Sequence, residues 1–283
     1  MGKNRSFWVG IVAAAALAVM GCSDDENGGT AGNGGTGGTG GTPATGNVTA
    51  VHLAPEVPSA EDTAVALFVN GEEQTDLGTL EYSQSTGKIA LPVGTYESIG
   101  VGVPGASDPV VTVGPVDLME GDDLVVVAHR TGDESLVDLF VFDNTGDNLA
   151  ATDARVNVGH GADDDTISPV NVFTVTVTGD DPPAVDECTP LFEELLLGEQ
   201  TPRDDQDPQD ITAGMVTLAL DLGAAADCPT ENVVGPVGPV DLIAGSTYVI
   251  VAVDEDTANA DATDQDIQLW AIIDGADPLG LVP

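Results

Sequence analysis

The chain has 283 residues, of which 48 are acidic and six basic, for a formal charge of −42. Phosphate recognition needs clustered Lys and Arg, and beyond the first few residues the basic side chains are Lys88, Arg130, Arg155 and Arg203, scattered along the chain. That charge excludes nucleic acid as a partner, and the acid itself reads as a solvated surface that keeps the protein soluble at some cost to compactness.

Lys3 and Arg5 precede an apolar run from Phe7 to Met20, followed by Gly21-Cys22. The run falls short of the roughly 18 to 20 residues that cross a bilayer, so residues 1–21 are expected to be an export signal rather than a permanent span. Val19-Met20-Gly21-Cys22 resembles the lipobox of bacterial lipoproteins, in which cleavage leaves Cys22 as the lipid-modified first residue. Met20 is less usual there than a small residue, and a plain secretory peptide with an incidental cysteine is the alternative. Lipidation would attach the protein to a membrane at about 0.8 kcal/mol per buried methylene. Ser23 after the cysteine, in place of Asp, points to the outer membrane by the same resemblance.

Residues 22–47 are a linker rich in Gly and Thr, with Gly-Gly-Thr recurring around residues 34–42. Such a segment buries no core, and about 25 residues of it span roughly 25 to 30 Å on average. It would hold the folded part clear of the membrane surface. The strict glycine period and abundant proline of collagen are missing.

After residue 47 short runs of Val, Ile, Leu and Thr alternate with Gly, Pro, Asn and Asp about every 8 to 12 residues, the rhythm of an antiparallel sandwich. The run Val65–Val69 ends at Asn70-Gly71, which suits a tight hairpin, and Pro92-Val93-Gly94 sets a rigid turn before Thr95-Tyr96. Val110–Val113 and Leu124–Ala128 read as strands joined through Gly114-Pro115-Val116-Asp117-Leu118 and Gly121. That connection returns 124 residues later as Gly238-Pro239-Val240-Asp241-Leu242 with Gly245. Other blocks repeat in the same order: Val48 to Ala54 answers Val156 to Ala162, Val65 to Phe68 answers Val170 to Phe173, and Val137 to Asp143 answers the stretch from Ile267. The fold expected is all-β, with two tandem antiparallel β-sandwiches at residues 48–150 and 151–283. Each module is long enough to fold alone.

Val51-His52-Leu53-Ala54-Pro55, Phe68-Val69-Asn70-Gly71 and Leu91-Pro92-Val93-Gly94-Thr95-Tyr96 carry a family likeness. They resemble the motifs of the DUF4397 family of bacterial extracytoplasmic domains, over nearly all of residues 48–150. The resemblance implies an immunoglobulin-like or transthyretin-like sandwich and no activity by itself. The second copy departs from the pattern, with Gly161-Ala162-Asp163 where proline is expected and an insertion at about 179–211.

The insertion contains Cys188, and Cys228 lies beyond it. With Cys22 taken by lipid, these two are the pair left to form a disulfide in an oxidising compartment. Closing about 40 residues would remove roughly 4 kcal/mol of unfolded-state entropy, stapling a long loop. Two thiols without nearby His lack the ligand count of a metal site. Leu191–Leu197 reads as either a short helical turn or an edge strand.

Catalytic and cofactor-binding residues are not expected. His52 and His160 occupy equivalent strand ends and travel with no Ser or Cys nucleophile, so they read as partly buried structural groups, hydrogen-bonded at the sandwich edge. His129, beside Arg130 in an expected loop, has no counterpart in the second copy. The acidic runs Asp163–Asp165, Asp180-Asp181, Asp204-Asp205 with Asp207 and Asp210, Asp254–Asp256, and Asp261, Asp264 and Asp266 lack the spacing of a calcium loop and read as solvated. Asp143–Asn148 reads as the bend between modules. The leading expectation is a lipid-anchored, non-enzymatic envelope protein, a spacer or a binder of an envelope protein or glycan. A calcium-stabilised adhesin-like protein and an enzyme with its site in the 179–211 insertion are the alternatives.

Overall fold

The computed structural model describes residues 43–55, 63–130, 137–162, 169–178, 184–202, 206–222, 233–254, 267–273 and 276–281. The strands of the first module are β1 (Thr45–Leu53), β2 (Ala66–Val69), β3 (Glu72–Glu73), β4 (Ile89–Pro92), β5 (Gly94–Tyr96), β6 (Ile99–Gly102), β7 (Val111–Val113), β8 (Val116–Leu118), β9 (Asp123–Arg130) and β10 (Val137–Asp143). Those of the second are β11 (Asp153–Gly161), β12 (Val170–Thr178), β13 (Ala184–Leu195), β14 (Gln209–Thr212), β15 (Gly214–Leu222), β16 (Val233–Leu242), β17 (Thr247–Asp254), β18 (Ile267–Ile273) and β19 (Leu279–Leu281). Their β-branched residues fit a pleated, packed surface. At the β2–β3 hairpin Asn70 and Gly71 both take positive φ, 52° and 78°, with Val69 facing Glu72. Both residue types tolerate that conformation, and the resulting twist matches the flanking strands.

The protein is all-β, two sandwiches in tandem. The first packs the sheet β10-β9-β1-β4 against β3-β2-β6-β7 and the small pair β5-β8; the second packs β14-β11-β17-β18-β19 against β13-β12-β15-β16. Pairing is antiparallel except where each module's first strand lies parallel to a late one. Val48 faces Leu124 in β1–β9, and Val156 faces Tyr248 in β11–β17. The duplication thus extends to register. His52 faces Ala128 and His160 faces Ala252, while Gly94 faces Leu118 and Gly214 faces Leu242.

The repeated Gly-Pro-Val-Asp-Leu differs from the connection expected of it. Val116–Leu118 is itself a strand, and Val240–Leu242 is the end of β16. The turn comes after it, at Gly121 (φ 88°) and Gly245 (φ 78°), where positive φ favours glycine. Leu191–Leu195 resolves as strand, part of β13.

The sequence also places the insertion too broadly. Residues 196–201 repeat residues 81–86 of the first module. Ser83 N–H donates to His52 O and Gly198 N–H to His160 O; His52 N–H donates to Gln84 O and His160 N–H to Glu199 O. Thr86 Oγ1 accepts from Ala50 N–H as Thr201 Oγ1 does from Val158 N–H, both at 3.0 Å. The extra length therefore lies mainly in the β12–β13 hairpin, where β13 replaces the two-residue β3.

Thr42–Pro283 forms one compact unit. Along β1, Val48 and Ala50 enter the first core while Val51 and Leu53 point out of it, as period-two strands require. The outward set is nevertheless buried. Val51, Leu53, Val125, Val127, Phe140 and Phe142 pack against Val249, Val251, Val253, Ile272 and the half-buried Trp270 of the second sandwich. The sheets containing β1 and β11 meet face to face, and their central strands are apolar almost without interruption because both faces are covered.

Candidate functional site

The seam between the sandwiches is where the described residues bring unusual chemistry together. Its apolar floor is the set just named, each Val, Ile or Phe worth roughly 1.5–3 kcal/mol when fully buried. Two glycines on β11 permit the close approach. A Cβ on Gly159 would stand 2.9 Å from Phe142 Cζ, and one on Gly161 would stand 2.5 Å from His129 Nδ1. Glycine inside a strand commonly marks such an approach.

His129 lies in strand β9, not in the loop expected for it, and is 1% exposed. Its ring stacks on Phe140, centroids 3.8 Å apart at 18°. Nδ1 lies 2.6 Å from Arg130 O, so the tautomer with hydrogen on Nδ1 donates there. Burial holds its pKa below the ordinary histidine value, opposed by backbone hydrogen bonding to Arg130, by the charge of Asp138 and by backbone hydrogen bonding to Gly161. Nε2 has no hydrogen-bond partner among the described residues, and the same is true of Thr49 Oγ1 and of both side-chain polar atoms of Asn157. Thr49 and Asn157 occupy equivalent positions and share the strand face of Val51 and Gly159.

Polar clasps line the margins. Val141 N–H donates to Gln200 Oε1 at 2.8 Å, and Gln200 Nε2 donates back to Val141 O. Ser85, the counterpart of Gln200, donates to Asp277 Oδ1 from its N–H (3.0 Å) and its hydroxyl (3.3 Å). Tyr82 donates to Gln268 Oε1 at 3.3 Å and meets Trp270 edge to face, centroids 5.8 Å apart. The intermodule bend is tied by Arg155, whose Nη1 donates to Thr145 O and Asp147 O, both at 3.2 Å, while Nε and Nη2 grip Asp210.

Of the residues singled out from sequence, His52 is fully buried; Ala54 N–H donates to its Nδ1 (3.4 Å) and its Nε2 donates to Thr63 O (2.8 Å). His160 takes the equivalent place in β11, also fully buried. Cys188 is half-buried on β13 opposite Val175, while Cys22 and Cys228 lie outside the described residues. So do Asp163–Asp165, Asp180-Asp181, Asp204-Asp205, Glu255-Asp256, Asp261, Asp264 and Asp266. Among the described residues no group of three or more His, Cys, Asp or Glu could hold a metal ion, and no helix is long and apolar enough to cross a membrane. Gln200, Ser85, Tyr82 and the two seam glycines were not singled out. The available signals were the alternation Gly159-His160-Gly161 and the short echo of Gln84-Ser85-Thr86 in Glu199-Gln200-Thr201.

The strand order defines the class, an all-β protein of two tandem sandwiches fused along a buried seam. No protein-family profile matches the chain, and no curated protein does. Among solved structures it is similar to a fimbrial assembly protein from Parabacteroides distasonis, at 12% identity over 84% of this chain and 99% of that one, with a TM-score of 0.24. It is also similar to a protein from Bacteroides uniformis described as a candidate for cell adhesion, at 9% identity over 84% and 98%, with a TM-score of 0.21. At such scores the likeness carries no argument about role.

Proposed function

We propose that this is a non-enzymatic protein of the bacterial cell envelope, attached through lipid on Cys22 to the outer membrane, whose paired sandwiches present loops to an envelope protein or glycan or act as a surface spacer. The observation that carries the reading is the shared seam. Two sandwiches with one buried face between them form a single unit, Thr42–Pro283, preceded by a Gly/Thr tether. A firm body preceded by a Gly/Thr-rich stretch of that length suits display at a distance from a membrane. The DUF4397 resemblance belongs to the same reading, as does a disulfide between Cys188 and Cys228.

Cell fractionation with metabolic acyl labelling tests the anchor. The native chain is expected in the outer-membrane fraction carrying label, and Cys22→Ala in the soluble envelope fraction without it; an unlabelled, soluble native chain would sink the anchored reading. Saturable capture of one envelope component by residues 43–283 would support recognition. Loss of cell-surface display without any such capture would leave the spacer role.

A further inference from the structure

We propose that the seam is an acid-sensitive joint, in which protonation of His129 parts the two sandwiches while each stays folded. Among the described residues His129 is the titratable side chain buried on this seam, between the Phe140 ring of its own module and Gly161 of the other. With Nδ1 engaged at Arg130 O, the added proton must go to Nε2, which faces no acceptor among the described residues. A buried donor left without an acceptor, and carrying charge, is costly in an apolar setting.

The ring is too tightly held to turn toward solvent while the joint stays shut. Phe140 covers one face, and Gly161 stands where even a methyl group would collide. Opening the seam relieves both constraints by giving Nε2 water. The charged and titratable groups nearby do not cancel the effect. On β9 the neighbour is Arg130, whose backbone carbonyl holds Nδ1 and favours the charged ring; on β10 it is the exposed Asp138, directly across the ladder, which attracts it; on β11 Gly161, whose backbone also favours the charged ring, is flanked by His160; β1 offers Leu53. Burial outweighs Asp138 and the backbone hydrogen bonding of Arg130 and Gly161 together in setting the direction of the shift.

The duplication supplies a control. The residue equivalent to His129 in β17 is Val253, buried on the same seam, so a histidine is not required by the packing pattern. Histidine is the side chain whose ordinary pKa, about 6.5, makes it respond near neutral pH.

The sign follows from linkage. The open form takes up the proton near the ordinary value and the closed form only at lower pH, so the open form gains as pH falls below about 6.5, by at most about tenfold per pH unit for one proton. Trp270 reports on the seam and is the one tryptophan left once the leader containing Trp8 is removed. From pH 7.5 to 5.5 its emission should move to longer wavelength and its quenching by acrylamide should rise, with the far-ultraviolet β signal unchanged. His129→Val and His129→Gln should both abolish that response, the second guarding against a packing failure in the first. An equal acid response in both variants would overturn the proposal, as would none in the native chain. Loss of the β signal in step with Trp270 would also overturn it, because the sandwiches would then be unfolding.

Discussion

Arg155 grips Asp210 with two parallel hydrogen bonds, Nε to Oδ1 at 2.8 Å and Nη2 to Oδ2 at 3.0 Å, directly across the β11–β14 ladder. The equivalent pair in the first sandwich is Asn47 opposite Ala90, so the ion pair is private to the second. Its other task is at the bend, where the same guanidinium holds the carbonyls of Thr145 and Asp147. Arg155→Ala should therefore lower stability by about 1–2 kcal/mol, and Asp210→Ala by about 0.5–1, since Arg155 then keeps its carbonyl partners. The Arg155 hydrogen bond holds the Asp210 carboxyl below the usual range. Its contribution is complete above the unfolded value near pH 4 and fades as pH falls through the lower folded one. Urea midpoints at pH 7 check the order, and on going to pH 3 Asp210→Ala should approach the native chain while Arg155→Ala, without its carbonyl bonds, stays below it.

Overfilling the seam tests how tightly it is closed. Gly159 corresponds to Val51, and importing that residue as Gly159→Val would press a branched side chain into Phe140 and Phe142, whose rings already stand within 3.0 Å of a Cβ. Phe140 stacks on His129 and meets Phe142 edge to face, and both rings are buried, so they cannot swing aside cheaply. A loss of about 1–3 kcal/mol is expected in urea unfolding. A neutral result would mean that the sheets can separate slightly at no cost.

Much of the architecture is legible in the residues. Duplicated blocks such as Val48–Ala54 and Val156–Ala162 predict duplicated strands, and Asn70-Gly71 predicts its hairpin. The seam is harder to read, although its trace is there. Leu124-Val-Val-Val-Ala and Tyr248-Val-Ile-Val-Ala-Val do not alternate with polar residues, which in a sheet means cover on both faces. Nothing local says what provides that cover. Residues 196–201 escape a sequence comparison because they perform the work of 81–86 mainly with backbone groups, and Gly198 and Ser83 need share only a positive φ. The private ion pair is likewise invisible, because Arg155 and Asp210 are 55 residues apart and meet only once the ladder is in register.

Asp221 is a buried acid that the second sandwich tolerates at a cost. It faces Asn171 across β12–β15 and is 6% exposed. Burial raises its pKa, while the hydrogen bond from Asn171 opposes the rise. A carboxyl whose folded pKa is raised binds its proton more tightly in the native state, so stability falls as pH climbs from the unfolded value near 4 through the folded one. At neutral pH the ionised group is a liability. Asp221→Asn, which can still accept from Asn171, should raise the thermal midpoint at pH 7 and leave it unchanged at pH 3. An equal rise at both pH values would assign the gain to packing instead of charge.

The strongest test of the paired architecture is to cut it. Residue counts suggest that each module can fold alone, yet a fragment ending at residue 150 would expose Val51, Leu53, Val125, Val127, Phe140 and Phe142 together, six apolar side chains that are 3% exposed or less in the whole protein. A contiguous apolar patch of that kind invites association. The expected outcome is that the whole chain unfolds in one cooperative transition, while residues 43–150 alone unfold at lower urea, bind a hydrophobic dye and self-associate as concentration rises. Phe142→Ala in the whole chain makes the same point without truncation. That ring is fully buried, and its removal should cost about 3–5 kcal/mol, as for a core phenylalanine, where a ring merely trapped between independent domains would cost far less. Two separate transitions in the native chain, with a fragment as stable as its parent, would show that the seam is contact without coupling.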